Sequence, residues 1–379
     1  MRRVQIEEFL LESKNALLLD VRSPGEYNHV HIPGAISLPL FTDEERKVVG
    51  TAYKQKSRED AIKIGLDYFG PNMRGMVEEV ERLIADRWKL AENTDNEQRT
   101  TASIMLYCWR GGMRSGAVAW LLNLYGFNVT VLAGGYKAFR NYVLKSFELP
   151  YSFKILGGYT GSGKTEVLQQ LKQNGEKVVD LENLACHKGS AFGNINMPPQ
   201  PTQEMFENLL SYELEKVSGN WQMAGSSETS FTIHHSPFTI WLEDESQRIG
   251  SVNIPKAIWE TMRSSPLCFL EIPFEERLNH IEEEYSRCDK ESLLNAIDRI
   301  KKRLGGLETK NSIQYLEEGN TRECFRILLH YYDKLYSKGL LNRDGLSHLL
   351  TKIACEKVTV ENAALVSQAQ PASTYAGTN

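Results

Sequence analysis

Short apolar runs that end at glycines alternate with stretches of helical apolar spacing through most of the chain. Ala16 to Leu19 reads as a short buried strand ending at Asp20, and HIPGAISLPL turns at Pro33-Gly34 into a second. From Thr42 to Trp88 charged residues with helical apolar spacing predict helix, broken at Gly70-Pro71. Residues 91–101 are polar and read as a surface loop. SIMLYC is a strand that runs straight into WRGGMRSG; AVAWLLNLYGF then reads as helix, VTVLAGG as strand and YKAFRNYVLKSF as helix. After Glu148-Leu149-Pro150 the alternation restarts, with FKILGG, EKVVDLE, FTIWLEDE and LCFLEIP as strand candidates. From Glu275 to about Cys355 the pattern is mostly helical, and the closing SQAQPASTYAGTN has a disordered composition. Strands and helices in this order predict parallel α/β sheets. The expected domains are residues 1–148, residues 149–355 with a helical C-terminal region, and a disordered tail over 356–379.

Composition narrows the class. A chain of 379 residues exceeds one ordinary core, in keeping with two domains. Hydrophobic residues at 41% and charged residues at 25% exclude a disordered or membrane-embedded chain. No apolar stretch approaches the roughly 20 residues of a membrane span, and MRRVQIEEFL lacks a secretory apolar run, so a cytoplasmic protein without membrane contact is expected. The six cysteines include no CxxC pair, which argues against a disulfide framework or a structural zinc site. The net charge of −5 lacks the basic signature of nucleic-acid binding. RNA contact would need local basic strips, for which Arg46–Arg58 and Arg299–Arg303 are the candidates; solvated helix faces are the alternative reading of both.

Two segments carry chemistry. The strand SIMLYC delivers Cys108 to the mouth of a glycine-rich loop, at the strand end where parallel-sheet proteins place their sites. Gly111 and Gly112 let backbone N–H groups converge with the N-terminus of the next helix, making an anion cradle with Arg110, Met113 and Arg114. The same field favours a thiolate at Cys108 and makes it the catalytic candidate. The second segment, GYTGSGKT, matches G-x-x-x-x-G-K-[ST] between a strand and a helix. Its residues Gly158, Tyr159, Thr160, Gly161, Ser162, Gly163, Lys164 and Thr165 are expected to hold a diphosphate, with the Thr165 hydroxyl on Mg²⁺. Asp180, Glu243, Asp244 and Glu245 end neighbouring strands and are the acidic metal-site candidates, and Arg277 is a candidate phosphate contact. A P-loop does not identify the molecule attached to its diphosphate: ATP is the default, and a prenyl diphosphate presents the same head.

DVRSPGEYNHVHIPGAISLPL is similar to the opening signature of rhodanese-like domains, and CWRGGMRSG resembles their active loop, with the arginine one position later than in the commonest form. The longer loop makes a wider cradle, which suits a tetrahedral, phosphate-like donor better than thiosulfate. Asp20, Arg22 and Glu26 resemble fold-supporting members of that signature. A rhodanese-like parallel-sheet domain followed by a P-loop NTPase-like α/β domain resembles the tRNA 2-selenouridine synthases in particular. YCWRGGMRSG, LGGYTGSGKTE, DLENLACHKGSAFG, QPTQEMFEN, WLEDESQRIG and KKRLGG carry the resemblance. It implies a selenotransferase whose substrate is a tRNA with a 5-substituted 2-thiouridine at the wobble position. It further implies S-geranylation from geranyl diphosphate at the P-loop, then displacement of the geranylated sulfur by selenophosphate, handled at Cys108. His187, Lys188, Ser190 and Gly193 in the most distinctive segment are candidates for a substrate loop. The stretch before WLEDES departs from the pattern, and His234 and His235 within it read as loop residues. Rival readings are an ATP-dependent kinase or thiolation enzyme with a persulfide carrier, and a nucleotide-gated thiol sensor.

Overall fold

The structure, a computed structural model, describes residues 1–90, 103–219 and 239–369, the side chains of 88–90 excepted. The loop expected at 91–101, the two histidines His234 and His235 and the end of the tail from residue 370 lie outside the described residues. Two compact units divide the chain between Ser146 and Phe147.

In the first unit, β1 (Arg2–Val4), β2 (Leu17–Asp20), β3 (Ile36–Ser37), β4 (Ser103–Tyr107) and β5 (Asn128–Leu132) form one sheet in the order β1-β5-β4-β2-β3. Every pairing is parallel. The apolar runs follow from burial on both faces: Leu17, Leu19, Ile104, Leu106, Val129 and Val131 share the core on one face, and Leu18 and Met105 are buried on the other. β1, with two arginines in three residues, has no apolar run to announce it; it is recruited by the edge of β5.

The helix Arg58–Leu90 runs through Pro71 instead of breaking at Gly70-Pro71. Its buried stripe, Ala61, Phe69, Met76, Val77, Val80 and Ile84, continues without a phase change across the proline, which faces solvent. Packing of that stripe outweighs the lost hydrogen bond, a cost of about 3 kcal/mol in a helix interior.

In the second unit, β6 (Phe153–Gly158), β7 (Lys177–Val178), β8 (Ile240–Glu243), β11 (Leu267–Glu271) and β12 (Leu350–Ala354) form a parallel sheet ordered β12-β11-β6-β8-β7. A small antiparallel ribbon, β9 (Arg248–Ile249) with β10 (Val252–Asn253), stands apart from it. EKVVDLE is a strand only at Lys177–Val178, because Asp180 accepts from the Asn183 N–H at 2.8 Å and caps a helix from Leu181 to Ala185. β12 lies in the segment expected to be helical; LTKIA buries only Ile353 and is held as an edge strand by β11. The tail is a further correction: Asn362–Gln368 is a helix, and its Ala363 and Val366 pack with Val167, Leu168 and Leu171 from the helix after the P-loop. Burial of these small apolar groups overrides the disordered composition. No helix among the described residues is long and apolar enough to cross a membrane.

Pro71→Ala restores a backbone donor in an exposed helix position, and it is expected to raise stability by about 1–3 kcal/mol in urea unfolding. An unchanged or lowered midpoint would mean that the helix is already broken there.

Candidate active site

The first site is built by backbone meeting backbone. β4 carries Cys108 into a loop whose Gly111 sits at φ +63°, and a Cβ there would stand 2.5 Å from the Leu132 carbonyl. Gly135, at φ +61°, would bring a Cβ to 2.2 Å from the Cys108 carbonyl and 2.4 Å from the Gly111 nitrogen. Only glycine fits at these two positions. The Tyr136 and Lys137 N–H groups donate to the Cys108 and Trp109 carbonyls at 2.8 and 3.1 Å, locking the two loops together. Gly112 then caps the helix Met113–Tyr125.

Cys108 is 3% exposed, at the floor of this loop, with Trp109 and Met113 on its open rim at 39% and 49%. Its Sγ lies 3.2 Å from the Ser115 Oγ. Burial pushes the thiol up, but the Ser115 hydroxyl and N–H, the Arg110 N–H and the Arg114 charge together outweigh it, so the pKa is lowered. Arg114 is not a free cation: it forms a fork with Glu26 at 2.6 and 3.3 Å, and Arg46 reaches the same carboxylate at 2.8 Å. Burial alone would raise Glu26, yet Arg114, the Ser23 N–H and Arg46 hold it down at about 2. Arg110, by contrast, is exposed and has no carboxylate partner among the described residues. Asp20 and Arg22 form a fully buried pair at 2.6 Å beneath the loop, with the guanidinium 4.3 Å from the Tyr136 ring centroid.

The P-loop leaves β6, the central strand of its sheet. Gly158 lies at φ +159°, where a Cβ would come within 2.4 Å of the Ser162 Oγ. Gly163, at φ +70°, opens the helix Lys164–Gln173, and a Cβ there would meet Val358 at 2.5 Å. Lys164 Nζ donates to the Gly158 carbonyl at 3.2 Å, across the mouth of the loop. The Tyr159 ring packs edge-on against Phe269 and Tyr336, so this residue serves the loop by its backbone.

Arg277 does not face the cradle. Its guanidinium is buried, forks onto Asp333 at 2.8 and 2.9 Å and donates to the Thr160 carbonyl at 3.0 Å. Its charge is spent on holding the loop's backbone, and the phosphate role expected for it is withdrawn. Asp244 is likewise committed, accepting from the Tyr336 hydroxyl and from Arg343, both at 2.5 Å. Asp180 caps a helix and borders Glu243. The carboxylate within reach of the Thr165 hydroxyl is Glu182, at 3.4 Å. Glu243 is fully buried, takes the Leu181 N–H at 2.9 Å, and has an Oε1 without a partner. Burial raises the pKa of Glu182, Glu243 and Glu245; Asp180 and then Glu182 raise Glu243 further, and Glu182 raises Glu245 further. Crowded carboxyls beside a P-loop hydroxyl fit a divalent cation. Among the described residues no three acidic, histidine or cysteine side chains form a complete cage.

A cavity of about 1470 Å³ joins the P-loop residues Thr160 to Glu166 to Glu182, Glu245 and the loop His187–Ala191. His187, 8% exposed, is clamped between Gly193 and Gly250, where added Cβ atoms would stand 2.7 Å from its ring. Burial and then Arg299 lower its pKa, so it stays neutral near pH 7. Lys188 pairs with Glu284, and the Ser190 hydroxyl accepts the Phe192 N–H at 3.1 Å. The most distinctive segment of the sequence therefore borders the same space as the P-loop, with His187, Lys188 and Ser190 on its wall and Gly193 behind them. Ser115, Glu182, Asp333, Tyr336 and Arg343 lay outside the site set drawn from motifs. Only Glu182 had a signal, at the end of the strand after the P-loop helix.

Residues 151–359 match the family model described as the tRNA 2-selenouridine synthase AAA domain, and residues 6–142 match the rhodanese-like domain model. A relative from Hydrogenovibrio crunogenus is 35% identical over 356 residues, covering 85% of this chain and 89% of its own. One from Marinobacter nauticus is 33% identical over 360 residues, covering 86% and 89%, and one from Shewanella denitrificans 36% over 355, covering 88% and 85%. All three are named tRNA 2-selenouridine synthase.

Ser115→Ala removes a donor to the thiolate, so the pH profile of Cys108 alkylation by iodoacetamide should move to higher pH. The rate at pH 7 should fall about two- to tenfold, with no difference once both thiols are ionised. An unmoved profile would show that Ser115 does not set the thiol's acidity. Gly163→Ala should weaken binding of Mg²⁺-pyrophosphate by about tenfold or more in calorimetry, because the φ and the Val358 contact both oppose a side chain. Wild-type affinity would refute the cradle geometry.

Proposed function

The chain belongs to the tRNA 2-selenouridine synthase family, and on that premise we propose that it replaces sulfur by selenium in wobble-position 5-substituted 2-thiouridine of tRNA. It is a tRNA-modifying enzyme. The observation that carries the reading is the convergence of the P-loop and the His187–Ala191 loop on one cavity. Such a cavity is suited to a diphosphate ester and an acceptor together.

In the first step the thiocarbonyl sulfur of the nucleobase attacks C1 of geranyl diphosphate; the S–C bond forms, the C–O bond breaks, and diphosphate leaves. The backbone of residues 158–163 and Lys164 hold the donor's diphosphate and stabilise its departure, and Arg277 with Asp333 keeps the loop in shape. Thr165 and Glu182 would hold Mg²⁺, which supplies charge neutralisation of the leaving diphosphate. Alkylation turns a poor leaving group into a thiolate leaving group. In the second step selenium of selenophosphate attacks C2 and the geranyl thiolate departs; hydrolysis of the Se–P bond then releases phosphate. The cradle of Arg110, Gly111 and Gly112 binds the tetrahedral anion, with the Cys108 thiol at its floor.

Mass spectrometry of wobble nucleosides from cells with and without this chain tests the reading. Deletion should abolish 2-selenouridine derivatives. Lys164→Ala should remove both geranylated and selenated forms, and Cys108→Ala should leave the geranylated form to accumulate. Unchanged nucleosides on deletion would refute the function; conversion of geranylated tRNA by Cys108→Ala at the wild-type rate would refute the division of labour.

A further inference from the structure

The P-loop and the His187 loop account for one part of the cavity in the second unit. The rest of the wall comes from the ribbon at 248–251 and from four helices, of which Lys290–Leu304 and Thr321–Leu341 stand beside the His187 loop, and a diphosphate has no use for them. From the side chains on that wall we infer that single-stranded RNA enters the P-loop cavity over a rim of Arg299, Arg303 and Tyr331. The arginines take its phosphates and the tyrosine stacks one unpaired base. The inference rests on tRNA being the acceptor, and it assigns the surface that receives it.

Size is the first argument. At about 1470 Å³ the cavity exceeds the roughly 300–1,000 Å³ of a site for one small ligand, leaving room for a nucleotide beside the donor. Exposure shows that this edge is open: Ser162 and Tyr285 are buried on the floor, whereas Arg299, Arg303 and Leu335 are exposed lining residues, and the other exposed edge carries Glu260 and Asp344, which would repel a phosphate chain.

Charge is the second. Arg299 and Arg303 stand four residues apart on one helix and therefore share a face. Arg299 is oriented by bonds from one nitrogen to the Ala191 carbonyl at 2.7 Å and Asn194 Oδ1 at 2.9 Å, which leaves its other donors unspent. Arg303 has no carboxylate partner among the described residues, and its charge acts on Tyr331. The neighbouring Glu284 is already taken by Lys188. The two lysines between the arginines differ: Lys301 pairs with Asp298, and Lys302 lies outside the cavity lining. In the other basic strip, Arg46 is tied to Glu26. On a chain of net charge −5, an arginine pair without a carboxylate partner at the rim of a phosphate-binding cavity is a local anion track.

The aromatic platform is the third. The Tyr332 hydroxyl accepts the Ala191 N–H at 3.1 Å, and Tyr331 packs edge-on against Tyr332 with centroids 5.1 Å apart at 69°. Tyr331 is thus a half-buried ring held by its neighbour and flanked by an arginine. Arginines beside a fixed aromatic ring match the way proteins grip unpaired nucleotides, by phosphate contact and stacking.

The test uses the full chain and a fluorescein-labelled anticodon stem-loop RNA carrying 2-thiouridine, followed by anisotropy over a salt series. Arg303→Ala should weaken RNA binding several-fold and make the salt slope shallower by about one phosphate contact. Tyr331→Ala should weaken it about five- to 150-fold, Tyr331→Phe should bind like wild type, and Lys302→Ala should change little. All four should bind Mg²⁺-pyrophosphate with wild-type affinity. Wild-type RNA binding by both Arg303→Ala and Tyr331→Ala would overturn the rim while leaving the nucleoside chemistry intact. So would an equal loss from Lys302→Ala, or loss of pyrophosphate together with RNA. Failure of the unaltered chain to bind this RNA would instead strike at the tRNA reading itself, and the rim would fall with it.

Discussion

Both sites depend on a steric constraint: the main chain runs where a Cβ cannot fit. At Gly111 and Gly135 the loops following β4 and β5 touch through their main chains, and at Gly158 and Gly163 the P-loop closes on itself and against Val358. Remove that proximity and the N–H groups no longer converge on one point, so neither loop would hold an anion. The parallel sheets supply the platform, because both loops leave interior strands whose positions are set by pairing on two sides.

Around these cradles, charged groups are divided between holding and binding. Glu26 with Arg114, Asp333 with Arg277, and Asp244 with Arg343 are pairs in which the sign of each charge is cancelled within the protein. Their work is to fix loops, and burying them is tolerable only because each is paired and hydrogen-bonded. Arg110 and Arg303 have no carboxylate partner among the described residues, and Lys164 donates only to the Gly158 carbonyl. The carboxylates Glu182, Glu243 and Glu245 show the opposite arrangement: burial raises their pKa values, and acidic neighbours raise those of Glu243 and Glu245 further.

The thiol of Cys108 shows how close such balances run. Its burial opposes ionisation, and a hydroxyl, two amide donors and a shared arginine reverse the outcome. A buried cysteine of the second unit without those donors, Cys324, is pushed up to about 12 by burial. Local polar contacts, not the residue type, separate a reactive thiolate from a packing residue.

Patterns local in the chain were therefore legible without the fold. The continuous apolar runs of the sheet interiors, the glycine-rich stretches of both loops and the cysteine at a strand end each lie within a few consecutive residues. Elements whose stability comes from neighbours were not. β1 and β12 exist because β5 and β11 offer open edges, the helix through Pro71 because its stripe is buried, and the helix at 362–368 because Val366 finds Val167 and Leu171. The same holds within the sites. Motifs named Arg114, Arg277 and Asp244 as charges near an anion, but whether a charge faces a ligand or a partner depends on Glu26, Asp333 and Arg343, which lie 88, 56 and 99 residues away along the chain. Sequence alone set the chemistry available at each loop; only tertiary contact decided which groups were left unpaired to perform it, because an ion pair forms through space and leaves no mark in spacing.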